Sequence, residues 1–148
     1  MKTRWMLVGL LAGTFGGGVW AEGPAFIGAA KCKVCHKVDY ASWETLPHAK
    51  AFERLKPEEQ AKAECLACHA TGNSAEFPGV QCEACHGAGD AYKSIKVMKD
   101  PATARAAGLV IPDEASCKVC HEKAPHELPP FDFEKAKAQG IHEKKPKP

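Results

Sequence analysis

The chain has 148 residues, a formal net charge of +2 and eight cysteines. Beyond position 21 it is dominated by Ala, Lys, Glu, Gly and Pro, so the polypeptide alone buries too little apolar surface to offset the entropy of ordering. Since the chain has no basic stripe with interleaved aromatic residues, its composition excludes a nucleic-acid-binding protein.

The first 21 residues have the pattern of a secretory signal peptide. Lys2 and Arg4 form a basic start, residues 5–20 are mostly apolar, and Ala21 ends a plausible cleavage site. An uncleaved membrane anchor is the alternative, but the apolar run is short for a membrane span and is interrupted by glycines. We therefore expect a periplasmic protein with no stable membrane span, whose mature domain is residues 22–148.

A Cys-x-x-Cys-His pentapeptide occurs four times and uses every cysteine of the chain. Two cysteines three positions apart fall on the same side of one helical turn, so both sulfurs can bond the two vinyl groups of one haem. The adjacent histidine then becomes the proximal iron ligand. The predicted attachment residues are Cys32, Cys35, Cys65, Cys68, Cys82, Cys85, Cys117 and Cys120, with His36, His69, His86 and His121.

Zinc ribbons and disulfides are alternative uses of paired cysteines. Neither requires a histidine directly after the second cysteine, and here one follows in all four copies. The motifs therefore predict four covalently bound haem c groups. The histidines of successive motifs are 33, 17 and 35 residues apart, which argues against a regular solenoid.

The sequence predicts a mainly α fold with extensive irregular loops, because no long alternating strand pattern is present. Helix starts are predicted where proline or aspartate precedes the apolar positions, and helix ends are predicted where glycine follows them. In chain order the predicted helices are residues 39–44, 47–55, 57–67, 101–107 and 133–139, and extended connectors are expected at 108–113 and 128–133.

Counting histidines shows that the predicted haems cannot all have two histidine ligands. Four six-coordinate irons need eight ligands, and the chain has seven histidines, so at least one haem lacks a distal histidine. His48, in a predicted helix, and His142, just beyond one, are the favoured distal ligands. His126 is interpreted as an exposed loop residue, because it is too close to His121 to reach the opposite face of that haem.

Met98 is the only methionine left after signal removal. A single methionine is more often a core residue than a ligand, but the shortage of histidines makes thioether ligation a real alternative here. Methionine in place of histidine would raise the reduction potential of that haem.

The segments KCKVCHK, LPHAKAF, PGVQCEACHGAG and FDFEKAKAQGIH, in this order and spacing, resemble the tetrahaem cytochrome c-554 family over residues 31–145. The resemblance implies a compact multihaem fold wrapped around four haems, with a five-coordinate haem at the second motif. It also implies that His48 binds the third haem and His142 the fourth. In that family a histidine after the third motif binds the first haem, and this chain offers only Met98 or Lys96 there.

The expected function is electron transfer between redox partners, with the donor and acceptor unknown. Exposed lysines near the first motif, Lys31, Lys33 and Lys37, could steer an acidic partner. An alternative is an enzyme that reduces nitric oxide, hydroxylamine or nitrite at a five-coordinate haem, although no proton-delivery cluster accompanies the second motif. A gas or redox sensor is less favoured, because no output domain follows.

Overall fold

The computed structural model describes residues 23–142, so the signal peptide predicted for residues 1–21 lies outside the described part of the chain. The described residues form short helices and irregular loops, with isolated β-bridges but no β-strand. The α-helices are α1 (Ala29–Lys33), α2 (Lys37–Trp43), α3 (Ala63–His69), α4 (Cys82–His86), α5 (Ile95–Met98), α6 (Pro101–Ala106), α7 (Glu114–His121) and α8 (Phe133–Gln139). The mainly α prediction is therefore confirmed for this region.

Helix ends that were predicted from capping residues agree closely with the structure. At α6 the Asp100 carboxylate accepts a hydrogen bond of 2.6 Å from the Thr103 backbone N–H, and Pro101 is the first helical residue. At α8 the Asp132 carboxylate accepts one of 3.0 Å from the Lys135 N–H. The first backbone N–H groups of a helix have no partner within the helix, and a capping side chain accepts a hydrogen bond from one of them. Because few residue types can do this, a cap can be recognised in the sequence.

The helix predicted for residues 47–55 is wrong. The chain there forms turns and a short 3-10 helix (Phe52–Arg54), because its backbone is engaged by a distant segment. The Val80 N–H donates a 2.9 Å hydrogen bond to the His48 carbonyl. Gly79 lies so close that a Cβ there would be 2.4 Å from the Ala49 carbonyl oxygen. Tertiary pairing thus overrides the local helical preference.

The helix predicted for residues 57–67 begins only at Ala63, since residues 57–61 form turns. The Glu59 carboxylate accepts a 2.8 Å hydrogen bond from the Lys56 N–H and stabilises this turn. Conversely, α7 is not among the predicted helices, although it starts with a reciprocal capping box between Asp113 and Ser116. Asp113 followed by Ser116 was a signal that could have predicted this helix start.

The protein-only core is small. Leu55, Leu66 and Ala70 form the one cluster of buried apolar residues in the described region, with Phe52 and Cys65 packed beside it. Several large apolar side chains are exposed instead, including Val34 at 70% and Ile95 at 62%. This agrees with the expectation that the polypeptide alone cannot supply a sufficient core.

No helix among residues 23–142 is both long enough and apolar enough to cross a membrane.

A buried carboxylate joins the N-terminal segment to the third motif. Glu83 is 2% exposed, and its oxygens accept hydrogen bonds from the N–H groups of Ile27 at 3.0 Å, Gly28 at 2.7 Å and Gly89 at 2.6 Å. The Gln81 side chain adds a bond of 2.7 Å from the Ala29 N–H. These contacts fix α1 against α4.

Glu83→Gln is expected to destabilise the haem-loaded protein by about 2–4 kcal/mol, because the amide group replaces a buried acceptor with a donor that faces other N–H groups. Denaturant unfolding measures this change. The control Glu76→Gln, at an exposed position, should change the free energy of unfolding by less than about 0.5 kcal/mol. Equal stability of the two variants would contradict the assigned role of Glu83.

Candidate functional site

All four Cys-x-x-Cys-His motifs lie on helices or at a helix junction. The second, third and fourth motifs lie within α3, α4 and α7. In the first motif Cys32 belongs to α1 and His36 is the residue that precedes α2. None of the eight cysteines, all within residues 23–142, forms a disulfide. Each motif therefore presents two thiols and an imidazole within about one helical turn, as covalent haem attachment requires.

Three motif histidines each face a histidine from a distant part of the chain. Ring centroids are 6.1 Å apart for His48 and His121, 6.1 Å for His69 and His126, and 6.3 Å for His86 and His142. The three pairs include every histidine outside the motifs.

These separations match two imidazoles on opposite sides of one metal ion. A bond from a metal ion to a histidine nitrogen is about 2.0–2.1 Å long, and the ring centroid lies about 1.1 Å further back, so the centroids are roughly 6.3 Å apart. Two rings that pack directly on each other, with no metal between them, can have a wide range of centroid distances. Direct packing would therefore not require three pairs with nearly the same distance. The three pairs therefore fit iron ligation from both faces of a haem.

The hydrogen bonds of two motif histidines select the nitrogen that can bind iron. Nδ1 of His69 is 2.7 Å from the Ala51 carbonyl oxygen, and Nδ1 of His86 is 3.0 Å from that of Val110. A carbonyl only accepts hydrogen bonds, so each Nδ1 carries the proton and Nε2 keeps its lone pair for a metal. Metal-binding histidines commonly have such a partner, which orients the ring and increases ligand basicity.

The pair at the fourth motif is held by burial and by stacking. Burial lowers the pKa of His48, and the nearby His121 lowers it further, so the neutral imidazole that can bind a metal is favoured. The Phe131 ring stacks on His121 with a centroid distance of 4.4 Å. His48 is positioned in turn by the backbone bond between its carbonyl and Val80.

The first motif has a different environment. Among the described residues, His36 is the motif histidine without a ring contact to a second histidine. It lines a cavity of about 350 Å³ together with Met98. The other lining residues are Ile27, Lys31, Cys32, Cys35, Gly89, Tyr92, Lys93, Ile95 and Lys99. This cavity thus brings a thioether and several cations to the motif that lacks a partner histidine.

Contacts between thiols show which motifs are neighbours. A hydrogen bond with Cys82 is the main cause of the raised pKa of Cys32. The pKa of Cys120 is raised to about 12, mainly by burial and to a smaller extent by a hydrogen bond with Cys68. The pKa of Cys85 is raised mainly by burial and to a smaller extent by the charge of Cys117. Cysteines of the first and third, the third and fourth, and the fourth and second motifs are therefore close to one another.

The structure pairs the outer histidines differently from what the family resemblance implied. His48 lies beside the fourth motif and His142 beside the third, which exchanges the two expected positions. His126, although exposed, lies beside His69 of the second motif, where the resemblance implied no second ligand. The motif without a partner histidine is the first. No local pattern signals the His126 contact, because it depends on a tertiary approach.

Among residues 23–142 no group of three or more His, Cys, Asp or Glu side chains is arranged to hold a metal ion.

Helical Cys-x-x-Cys-His motifs and opposed histidines are typical of c-type cytochromes, the class of proteins that bind haem c covalently and transfer electrons. Residues 31–87 match the family described as "Cytochrome c554 and c-prime". The chain is also similar to cytochrome c-554 of Nitrosomonas europaea, with 35% identity over 75 residues, a match that covers 40% of this chain and 32% of that protein. Over the part of the chain that these two matches cover, it is similar to the cytochrome c-554 family.

The chain spans about a third of the length of this relative. No solved structure gives a significant match.

His126→Ala in the haem-loaded protein is expected to convert one low-spin ferric haem to the high-spin state, because it removes the ring opposite His69. Electron paramagnetic resonance measures the high-spin signal. Glu127→Ala, which alters the adjacent exposed position, is the matched control and should leave the spectrum unchanged. An unchanged low-spin spectrum in His126→Ala would show that His126 is not an iron ligand.

Proposed function

We propose that this protein is a periplasmic tetrahaem c-type cytochrome that carries single electrons between redox partners. Residues 1–21 are a signal peptide in this proposal, and residues 22–148 form the tetrahaem domain. The observation that carries the proposal is the placement of three distant histidines opposite three motif histidines at 6.1–6.3 Å. When bound, each haem c supplies a one-electron redox centre.

The polypeptide would hold each haem through two thioethers, a motif histidine and a second ligand. In the proposed ligand sets, His121 is paired with His48, His69 with His126, and His86 with His142. The contacts between thiols of neighbouring motifs support close packing of all four sites in one series. The first and second motifs are the two ends of that series and are the proposed points of exchange with partners.

Met98 is the proposed second ligand at the first motif. It is half-buried at the end of α5 and lines the cavity that contains His36, whereas Lys96 of the same helix does not line it. The Ser94 hydroxyl caps α5 by accepting a hydrogen bond from the Val97 N–H, which holds this short helix in place. A thioether here would give the first site a higher potential than the sites with two histidines.

Lysines give the first motif a basic surround that suits an acidic redox partner. Lys31, Lys93 and Lys99 line its cavity, and Lys33 and Lys37 are exposed nearby in sequence. Lys93 is paired with Asp90 and Lys33 lies 4.4 Å from the centre of the Tyr40 ring. Charges of one sign around a contact site accelerate the encounter with a partner of opposite sign.

The alternative of an enzyme for nitric oxide, hydroxylamine or nitrite requires an iron with an open position. A second histidine lies beside the second, third and fourth motifs, and Met98 lies beside the first motif. No arrangement in the described residues favours this alternative, so electron transfer is the proposed activity.

Intact-mass measurement and haem quantification of the purified protein test the tetrahaem proposal. Four haems per chain are expected, all retained after acid-acetone extraction, because thioethers survive denaturation. The double variant Cys82→Ala/Cys85→Ala should retain three, since only the third motif loses its thioethers. A wild-type mass below that of the polypeptide plus four haems would overturn the proposal.

Met98→Leu is expected to abolish the near-infrared sulfur-to-iron band of the ferric protein and to lower the potential of one haem. The substitution preserves volume and apolarity, so a packing role alone would be affected little. Ile95→Leu, in the same helix and cavity, is the matched control and should leave the band intact. A wild-type spectrum without the band would instead assign the first iron to Lys96 or to no protein ligand.

A further inference from the structure

One carboxylate lies between histidines that belong to two different motif sites. Oδ2 of Asp39 is 3.6 Å from Nδ1 of His36, in the first motif, and Oδ1 is 3.5 Å from Nδ1 of His142. His142 is the ring opposite His86 of the third motif. Asp39 therefore contacts a candidate ligand at each of two neighbouring sites.

The environment of Asp39 favours stronger contacts with these rings. Its side chain is 20% exposed, and Oδ2 is a buried atom without a hydrogen-bond partner. A buried carboxylate oxygen without a partner is costly, because it has lost its bonds to water. Both oxygen-to-nitrogen distances exceed those of a direct hydrogen bond by less than an ångström, so small ring rotations would complete two bonds.

Helix α2 holds the carboxylate in place. Asp39 lies in its first turn, and at its last residue the Trp43 Nε1–H donates a 2.9 Å hydrogen bond to the Val80 carbonyl. An acidic residue in a first turn can also stabilise a helix through the helix dipole. That generic role involves neither histidine and would leave the properties of bound iron unchanged.

We propose that Asp39 is a positioning residue shared by the first and third haem sites. Its two oxygens accept the Nδ1 protons of His36 and His142, which orients both rings so that Nε2 faces iron. The negative charge beside both rings would stabilise ferric iron and lower the reduction potentials of both sites. This inference rests on the proposed tetrahaem function, because it assigns a role toward two of its haems.

The experiment compares the four reduction potentials of haem-loaded wild-type protein and Asp39→Asn. Two potentials are expected to rise, each by about a tenfold change in the redox equilibrium constant, which is about 59 mV for one electron. The other two should remain at their wild-type values. The low-spin electron paramagnetic resonance signals of the same two haems should shift, since the ring orientations change.

Glu44→Gln is the matched control. It removes one negative charge from an exposed position at the other end of α2. It should change all four potentials little and equally. The conservative variant Asp39→Glu retains the charge, so it should restore both potentials toward wild type while still altering the two spectroscopic signals. This variant also keeps the proposal testable if Asp39→Asn does not accumulate as folded protein.

Each outcome has a definite meaning. Unchanged potentials in Asp39→Asn, or four equal shifts like those of Glu44→Gln, would overturn the positioning role. A shift in only one potential would overturn the shared role. Fewer than four haems in the wild-type mass would refute the tetrahaem function itself. Four haems with unshifted potentials would refute only the inference about Asp39.

Discussion

The shortage of a protein-only core is the constraint on which the rest of this structure depends. Leu55, Leu66 and Ala70 are its one cluster of buried apolar residues in the described region, while residues such as Val34 and Ile95 remain exposed. So few buried side chains cannot offset the conformational entropy of a chain of this size. In the proposed holoprotein, covalent haem c would add large apolar surfaces at the motifs, and the polypeptide would serve mainly as a set of anchored ligand-bearing segments.

Backbone groups provide much of that anchoring. Glu83 joins the segment before α1 to the third motif through three backbone N–H donors, and the Val80 N–H holds the His48 carbonyl. The imidazoles of His69 and His86 are likewise oriented by main-chain carbonyls. Main-chain partners depend little on side-chain identity, so a chain dominated by Ala, Lys and Gly can still fix its metal-binding rings.

Sequence signals predicted what depends on nearby residues. The caps of α6 and α8 and the four pentapeptides are local patterns, and each lies in a helix or at a helix junction as expected. Residues 47–55 do not form the predicted helix, because the 79–80 segment engages their backbone. The ring contacts of His48, His126 and His142 also arise between distant segments, and they differ from the arrangement that the family resemblance implied.

In the proposed series of sites the motifs follow the order first, third, fourth, second, which differs from their order along the chain. The polypeptide therefore passes from one end of the series to the other between its first and second motifs, and only then fills the middle. The first half of the sequence, with the first and second motifs, is thus split between the two ends, whereas the third and fourth motifs are neighbours in the middle. Loss of the second half would therefore remove the two motifs that connect the first to the second, so changes in length are better tolerated in the loops between motifs.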